Sequence, residues 1–168
     1  MKLEKTIILN TGQIEQKINR LAYEIYESFY TEKEIIIVGI SGQGYSFAKR
    51  IFTTVKKISP LKIHLVKMIL DKKNPLKKQP QLNMEESSFK GKVVLLIDDV
   101  LNTGKTLIYG AKTLLDFQVK QLTTVVLVNR RHRLFPIRAD LVGLTLATTM
   151  QEHINVVLEK GKEAVYLE

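Results

Sequence analysis

Apolar and polar positions along the chain follow two periods, and the switches between them mark the elements. Ile14, Ile18, Leu21, Ala22, Ile25 and Phe29 recur at three- and four-residue steps. That spacing predicts an amphipathic helix over 12–30, with Thr11 as its N-cap. EIIIVGI (34–40) is a continuous apolar run rich in β-branched residues, the pattern of a parallel strand buried on both faces. Helical spacing returns at Phe47, Ile51, Phe52, Val55 and Ile58, and Pro60 helps to stop the second helix. KIHLVKMIL (62–70), VVLLI (93–97) and TTVVLV (123–128) read as further strands, with a third helix over roughly 105–117. ADLVGL (139–144), INVVLE (154–159) and EAVYL (163–167) are weaker strand candidates. Residues 71–91 hold two prolines and no periodicity, and so predict a long functional loop. This alternation predicts one α/β domain over 1–168: a mainly parallel sheet flanked by helices, with right-handed crossovers.

Composition bounds the chemistry. The chain has 168 residues and no cysteine, which excludes disulfides, thiolate nucleophiles and cysteine-held metals. Its three histidines are scattered, and its apolar runs are far too short to span a membrane. The opening MKLEKTIILN has no small-residue cleavage site, so a cytoplasmic protein without a signal peptide is expected.

Charge sharpens the picture. The net charge is +9, which suggests a phosphorylated small molecule, a nucleic acid, or both. Two segments carry most of it: 62–78, with six lysines against Asp71, and 130–140, with four arginines against Asp140.

The candidate chemistry sits in the thirteen residues Val94–Thr106, VLLIDDVLNTGKT. A buried strand expected to end at Ile97 presents Asp98 and Asp99 at its carboxyl end, where open α/β sheets bind ligands. A polar turn then leads into a helix whose free N–H groups form an anion cradle. Thr103, Gly104 and Thr106 suit a phosphate monoester, and the carboxylates suit sugar hydroxyls or magnesium. The combined ligand is a phosphorylated sugar. Asp99 stands where a P-loop requires glycine, and 39–44 reads G-x-x-G-x-G rather than the dinucleotide order.

This segment resembles the phosphoribosyl-pyrophosphate (PRPP) signature of the type I phosphoribosyltransferases. Asn129–Gly143, NRRHRLFPIRADLVG, is similar to the corresponding stretch of PyrR-type proteins, uracil phosphoribosyltransferases that also act as RNA-binding attenuators. The resemblance implies the type I fold with a small C-terminal hood, a flexible catalytic loop at about 71–91 and a hood at about 129–149. It implies catalytic and magnesium-contacting roles for Asp98 and Asp99. Ribose and 5′-phosphate would be held by Asp98, Asp99, Asn102, Thr103, Gly104, Lys105 and Thr106. Ser41, Gly42, Gln43 and Gly44 would form the pyrophosphate loop, and Asn129, Leu141 and Val142 the base pocket. Arg130, Arg131 and Arg133 would meet RNA or another anion. The implied partners are PRPP, pyrophosphate, a nucleobase or nucleoside monophosphate, RNA, and a second copy of the chain in a dimer.

The departures narrow the function. PyrR-type proteins usually carry arginine where this chain has Ser41 and Gln43, and an Arg-containing string where it has Met68–Lys73. Asn129 stands for an aspartate, and Asn102 for the acid of purine enzymes. Asparagine does not titrate and cannot serve as a general base, which weighs against a purine substrate. Two readings follow: an enzyme making UMP from uracil and PRPP, or a nucleotide-sensing RNA-binding attenuator with weak or no transferase activity.

Overall fold

The computed structural model describes residues 5–168; residues 1–4 of the opening decapeptide lie outside the described residues. The elements are β1 (Thr6–Leu9), α1 (Thr11–Phe29), β2 (Glu34–Ile40), α2 (Gln43–Ile58), β3 (Lys62–Ile69), β4 (Gln81–Leu82), β5 (Val93–Leu101), α3 (Lys105–Leu115), β6 (Gln121–Arg130), β7 (Leu141–Leu146), β8 (Ile154–Val157) and β9 (Ala164–Leu167). Six strands form one sheet in the order β4-β3-β2-β5-β6-β7. Every neighbouring pair in it is parallel except β3 with β4.

The core has two layers. The apolar stripes of α1 and α2 pack with one set of sheet residues, including Ile35, Ile37, Leu95, Ile97 and Val125. Leu107, Ala111 and Leu114 of α3 pack with the alternate set, including Ile36, Val38, Val94, Leu96 and Val126. Alternation along each strand sends successive side chains to opposite layers, so both must be apolar.

Four expectations change. Asn10, not Thr11, caps α1: its side chain accepts from the Gln13 N–H, and Gln13 returns a bond to the Asn10 N–H. This capping box satisfies two amides at once. Thr11 is instead the first helical residue, and its hydroxyl donates to the Glu163 carbonyl. Second, β5 runs past Ile97 to Leu101, because Asp98, Val100 and Leu101 pair with Val126, Val128 and Asn129 of β6. The acids therefore lie within the strand's last residues. Third, the segment 71–91 is anchored along its second half. β4 pairs with β3, and a 3-10 turn at Glu86–Phe89 buries Phe89 against Phe117, ring centroids 5.3 Å apart. Only about 71–80 remains irregular. Fourth, residues 129–149 do not form a separate hood, since β7 extends the main sheet. A second antiparallel sheet, β1-β9-β8, draws on both ends of the chain. Leu9, Val156, Leu158 and Val165 tie it to the α1–α2 layer.

At the amino end of the interior strand β2, Glu34 is ion-paired with Lys92 and bonded to His64 at 3.0 Å. The Lys92 ammonium, then the His64 ring, hold its pKa at about 2 against a usual 4.5. A depressed carboxylate pKa adds stability that is complete above about pH 4.5 and lost as pH falls through about 2. The pair is partly solvated, so on the order of 1 kcal/mol is expected. Urea titrations of wild type and Glu34→Gln across that acid range check this: the variant's stability should fall less steeply. Equal slopes would mean that the pair adds nothing.

Candidate functional site

β5 and the turn after it build the site. Asp98 is buried, 3% exposed, and its Oδ1 accepts from the Asp99 N–H at 2.9 Å. Burial first, and the neighbouring Asp99 charge second, push the Asp98 carboxyl well above its usual range, against the pull of Lys72. The Lys72 ammonium lies 3.5 Å from Asp98 Oδ1 and 3.9 Å from Asp99 Oδ1. These three side chains, residues 100–107 and Ile154 of the second sheet line a cavity of about 170 Å³. A larger cavity, about 680 Å³, lies elsewhere, in an open groove between α1 and α2 lined by Glu15, Lys49 and Arg50 among others. It lacks the acid pair and the phosphate loop, so size does not identify the site.

Gly104 starts α3 in the left-handed region, with φ at 87°, and no side chain caps the helix. A Cβ at Gly104 would come within 2.7 Å of Ile137 Cγ2, so glycine is required by both backbone and space. The Thr103 hydroxyl accepts from the Lys105 N–H at 3.3 Å, and the Thr103 carbonyl accepts from the amides of Leu134 and Phe135. The turn is thus braced and takes up the Lys105 amide, while the next amides of α3, at Thr106 and Leu107, have no side-chain cap and suit an anion.

A second uncapped helix start lies beside it. α2 begins after Gly42 with no side-chain cap. A Cβ on Gly44 would sit 2.4 Å from Asp98 Oδ1 and 3.1 Å from Asp98 Cα. The loop 41–44 and the acid pair are therefore in contact, as two separate sequence motifs had to be if they share one ligand. The Ser41 amide is taken by the Met68 carbonyl at 2.8 Å. Gln43 turns toward the second sheet, where its Oε1 accepts from the Leu158 N–H at 3.1 Å. It serves as a clamp, which adds a reason for the absence of arginine there. Gln43→Ala should lose about 1 kcal/mol of stability, the usual net value of one hydrogen bond. An unchanged denaturation midpoint would show that the clamp carries no stability.

The edge beyond β6 divides the other candidates. Asn129 pairs in register with Leu101 and Thr145, level with the end of the acid-bearing strand. Its Oδ1 is buried without a hydrogen-bond partner. Leu141 and Val142 pair with Val125 and Val126, and since Val126 also pairs with Asp98, Val142 stands level with the acid. Strand register, which sequence spacing does not reveal, separates them from Asn129, and Thr145 and Leu146 take the edge instead. Arg130 is only 5% exposed and is bonded to the Thr148 hydroxyl and the Thr149 carbonyl. It completes β6 and cannot belong to an exposed basic patch; Arg131 and Arg133 are exposed. Lys72 was hidden from sequence reasoning because it is one of six lysines in its segment.

Among the described residues, no three His, Cys, Asp or Glu side chains gather as a metal cluster. Two carboxylates remain, a donor set that fits magnesium only when phosphate and water oxygens complete its shell.

Comparison with known proteins identifies the family and the fold. The model of the phosphoribosyl transferase domain matches residues 4–159. The bifunctional protein PyrR of Haemophilus ducreyi is 35% identical over 165 residues, covering 91% of this chain and 89% of the relative. That of Pelotomaculum thermopropionicum is 33% identical, covering 99% and 97%. The hypoxanthine phosphoribosyltransferase of Trypanosoma cruzi shares the fold with a TM-score of 0.79 at 16% identity, covering 96% of this chain and 95% of its own. The family match and relatives aligned over nearly the whole chain lead to one assignment: the chain belongs to the phosphoribosyltransferase family, among its PyrR-type members.

Proposed function

We propose that the protein transfers a phosphoribosyl group from PRPP to uracil, giving UMP and pyrophosphate. The observation that carries this is the meeting of the acid pair with both uncapped helix starts: Gly44 of α2 is pressed against Asp98, and the start of α3 lines one cavity with Asp98 and Asp99. In this reading the Asp98 and Asp99 carboxylates accept hydrogen bonds from the ribose 2′- and 3′-hydroxyls. Thr103, Thr106 and the first amides of α3 hold the 5′-phosphate, assisted by Asn102, Gly104 and Lys105. The amides at Gly42–Gly44, rather than the side chains of Ser41 and Gln43, face the pyrophosphate. The base nitrogen N1 bonds ribose C1 as the bond from C1 to the pyrophosphate oxygen breaks; the electron pair of the broken bond leaves with pyrophosphate, which takes up the proton that N1 loses. Donors fixed where that charge develops lower the barrier more than donors that must reorganise. Magnesium bound with the pyrophosphate, near Asp98 and Asp99, would neutralise part of its charge. Asn129 reads the base, which supplies a donor for its unpartnered Oδ1.

The PyrR relatives support the regulatory reading as a second activity. Arg131 and Arg133 are its candidate RNA contacts, and Arg130 is withdrawn by its burial. We place the protein in the cytoplasm as a dimer; no helix among the described residues is long and apolar enough to cross a membrane. A turnover assay with PRPP, magnesium and a panel of free bases tests the catalytic reading. Product should appear with uracil and not with hypoxanthine or guanine; turnover with a purine alone would reverse the assignment. RNA binding should fall steeply with salt, and Arg131→Ala with Arg133→Ala should lower the salt slope. Unaltered RNA affinity and slope in that variant would remove these residues from the interface.

A further inference from the structure

The acid pair is already engaged by a cation from the chain itself. Among the described residues, Lys72 makes the only lysine or arginine ion pairs with Asp98 and Asp99. It comes from the irregular stretch that follows β3, not from the elements that carry the site. A second tie lies next to it: Lys105 Nζ, at the first residue of α3, donates to the Lys73 carbonyl at 3.0 Å. Between these ties the stretch is shaped locally, since the Asp71 carboxylate accepts from the amides of Lys73 and Asn74, both at 3.0 Å. Residues 71–74 are thus a preformed turn pinned to the two groups that flank the phosphate loop.

We propose that Lys72 is a resident counter-ion that latches this turn over the acid pair, and that a ribose phosphate must displace it to bind. The inference rests on the reading of 98–106 as a ribose-phosphate site. Two adjacent carboxylates, one of them buried, are costly without a nearby cation, and Lys72 supplies one. Ribose hydroxyls need the same carboxylate oxygens, and a 5′-phosphate needs the same end of α3. Lys72 itself walls the small cavity, so the latch and the sugar compete for the same space and atoms. The latch costs affinity, because a ligand binds only the fraction of molecules in which it is open. In return it keeps Asp98 and Asp99 paired and the site covered between ligands. Lys72 is therefore a gating residue, not a catalytic one.

Hydrogen exchange and titration with ribose 5-phosphate, which carries no base, test this. In wild type, amides of about 71–80 should exchange slowly without ligand and faster with it, as the latch is released. In Lys72→Met they should exchange fast in both conditions, and ribose 5-phosphate should bind several-fold more tightly. Lys72→Arg should keep the wild-type pattern. If Lys72 instead helps to hold the ligand, ribose 5-phosphate will slow exchange in wild type and Lys72→Met will bind it more weakly; either result overturns the latch. Asp98→Asn with Asp99→Asn supplies a readout that needs no ligand: it breaks the same contact from the other side and should speed exchange at 71–80. Unchanged exchange there rejects the latch whatever the ligand proves to be. Fast exchange in both variants, with no ribose 5-phosphate binding to any form, keeps the latch and rejects the sugar-phosphate reading instead.

Discussion

Replacing Asp98 and Asp99 together by asparagine should weaken binding of a nucleoside 5′-monophosphate by about 2–4 kcal/mol, the range expected when charge-assisted hydrogen bonds become neutral ones. The substitution keeps the shape of both side chains. Asparagine also retains an oxygen that can accept the bond that Asp98 now receives from the Asp99 amide at 2.9 Å. The variant should therefore fold. Part of the loss is offset, because Lys72, 3.5 Å from Asp98, would stop competing for the site; the lower half of the range is the sharper expectation. Calorimetry with UMP measures the change. Unchanged affinity in the folded variant would remove the acid pair from the ligand site and leave only the two helix starts to hold a phosphate.

Gly44→Ala should damage both the stability and the ligand binding of the protein. The new Cβ would lie 2.4 Å from Asp98 Oδ1 and 3.1 Å from Asp98 Cα. A flexible side chain could turn aside, but Asp98 is buried within a paired strand. Either α2 moves away from β5 or the carboxylate changes position. Overpacking of this kind typically costs 1–3 kcal/mol, and about 2–3 kcal/mol is expected here. Affinity for UMP should fall as well, because the displaced group is a proposed ribose contact. Thermal unfolding and UMP titration of the same sample separate the two effects. Wild-type stability together with wild-type affinity would show that the start of α2 does not press on Asp98.

The elements that could be read from the sequence are those whose signal is local. The five-residue run 93–97 and the stripe from Ile14 to Phe29 announce a buried strand and an amphipathic helix, because burial on both faces or on one face dictates their periods. The string from Asp98 to Thr106 carries its chemistry in consecutive residues, so the acid pair, the phosphate turn and the open helix start were visible together. What was not visible depends on distant partners. β1 is four residues long and exists by pairing with β9, at the other end of the chain. The same holds for Phe89, whose burial against Phe117 anchors a segment that has no period of its own.

The site divides in the same way. Sequence alone determined which residues could bind a phosphorylated sugar, because carboxylates, a glycine turn and hydroxyls must follow one another closely to meet one ligand. Tertiary structure decided which other residues join them. Parallel register put Asn129 beside Leu101 and Val142 level with Asp98, on opposite sides of β6. Packing buried Arg130 against Thr148 and Thr149 while Arg131, its neighbour, stayed exposed. Gln43 became a clamp because the Leu158 amide stands within its reach. Among six lysines of one segment, only the fold brought Lys72 to the acids. Composition records how many charges a chain carries, but Coulomb attraction and hydrogen bonding act over a few ångströms, and those distances are set only when separate strands and loops meet.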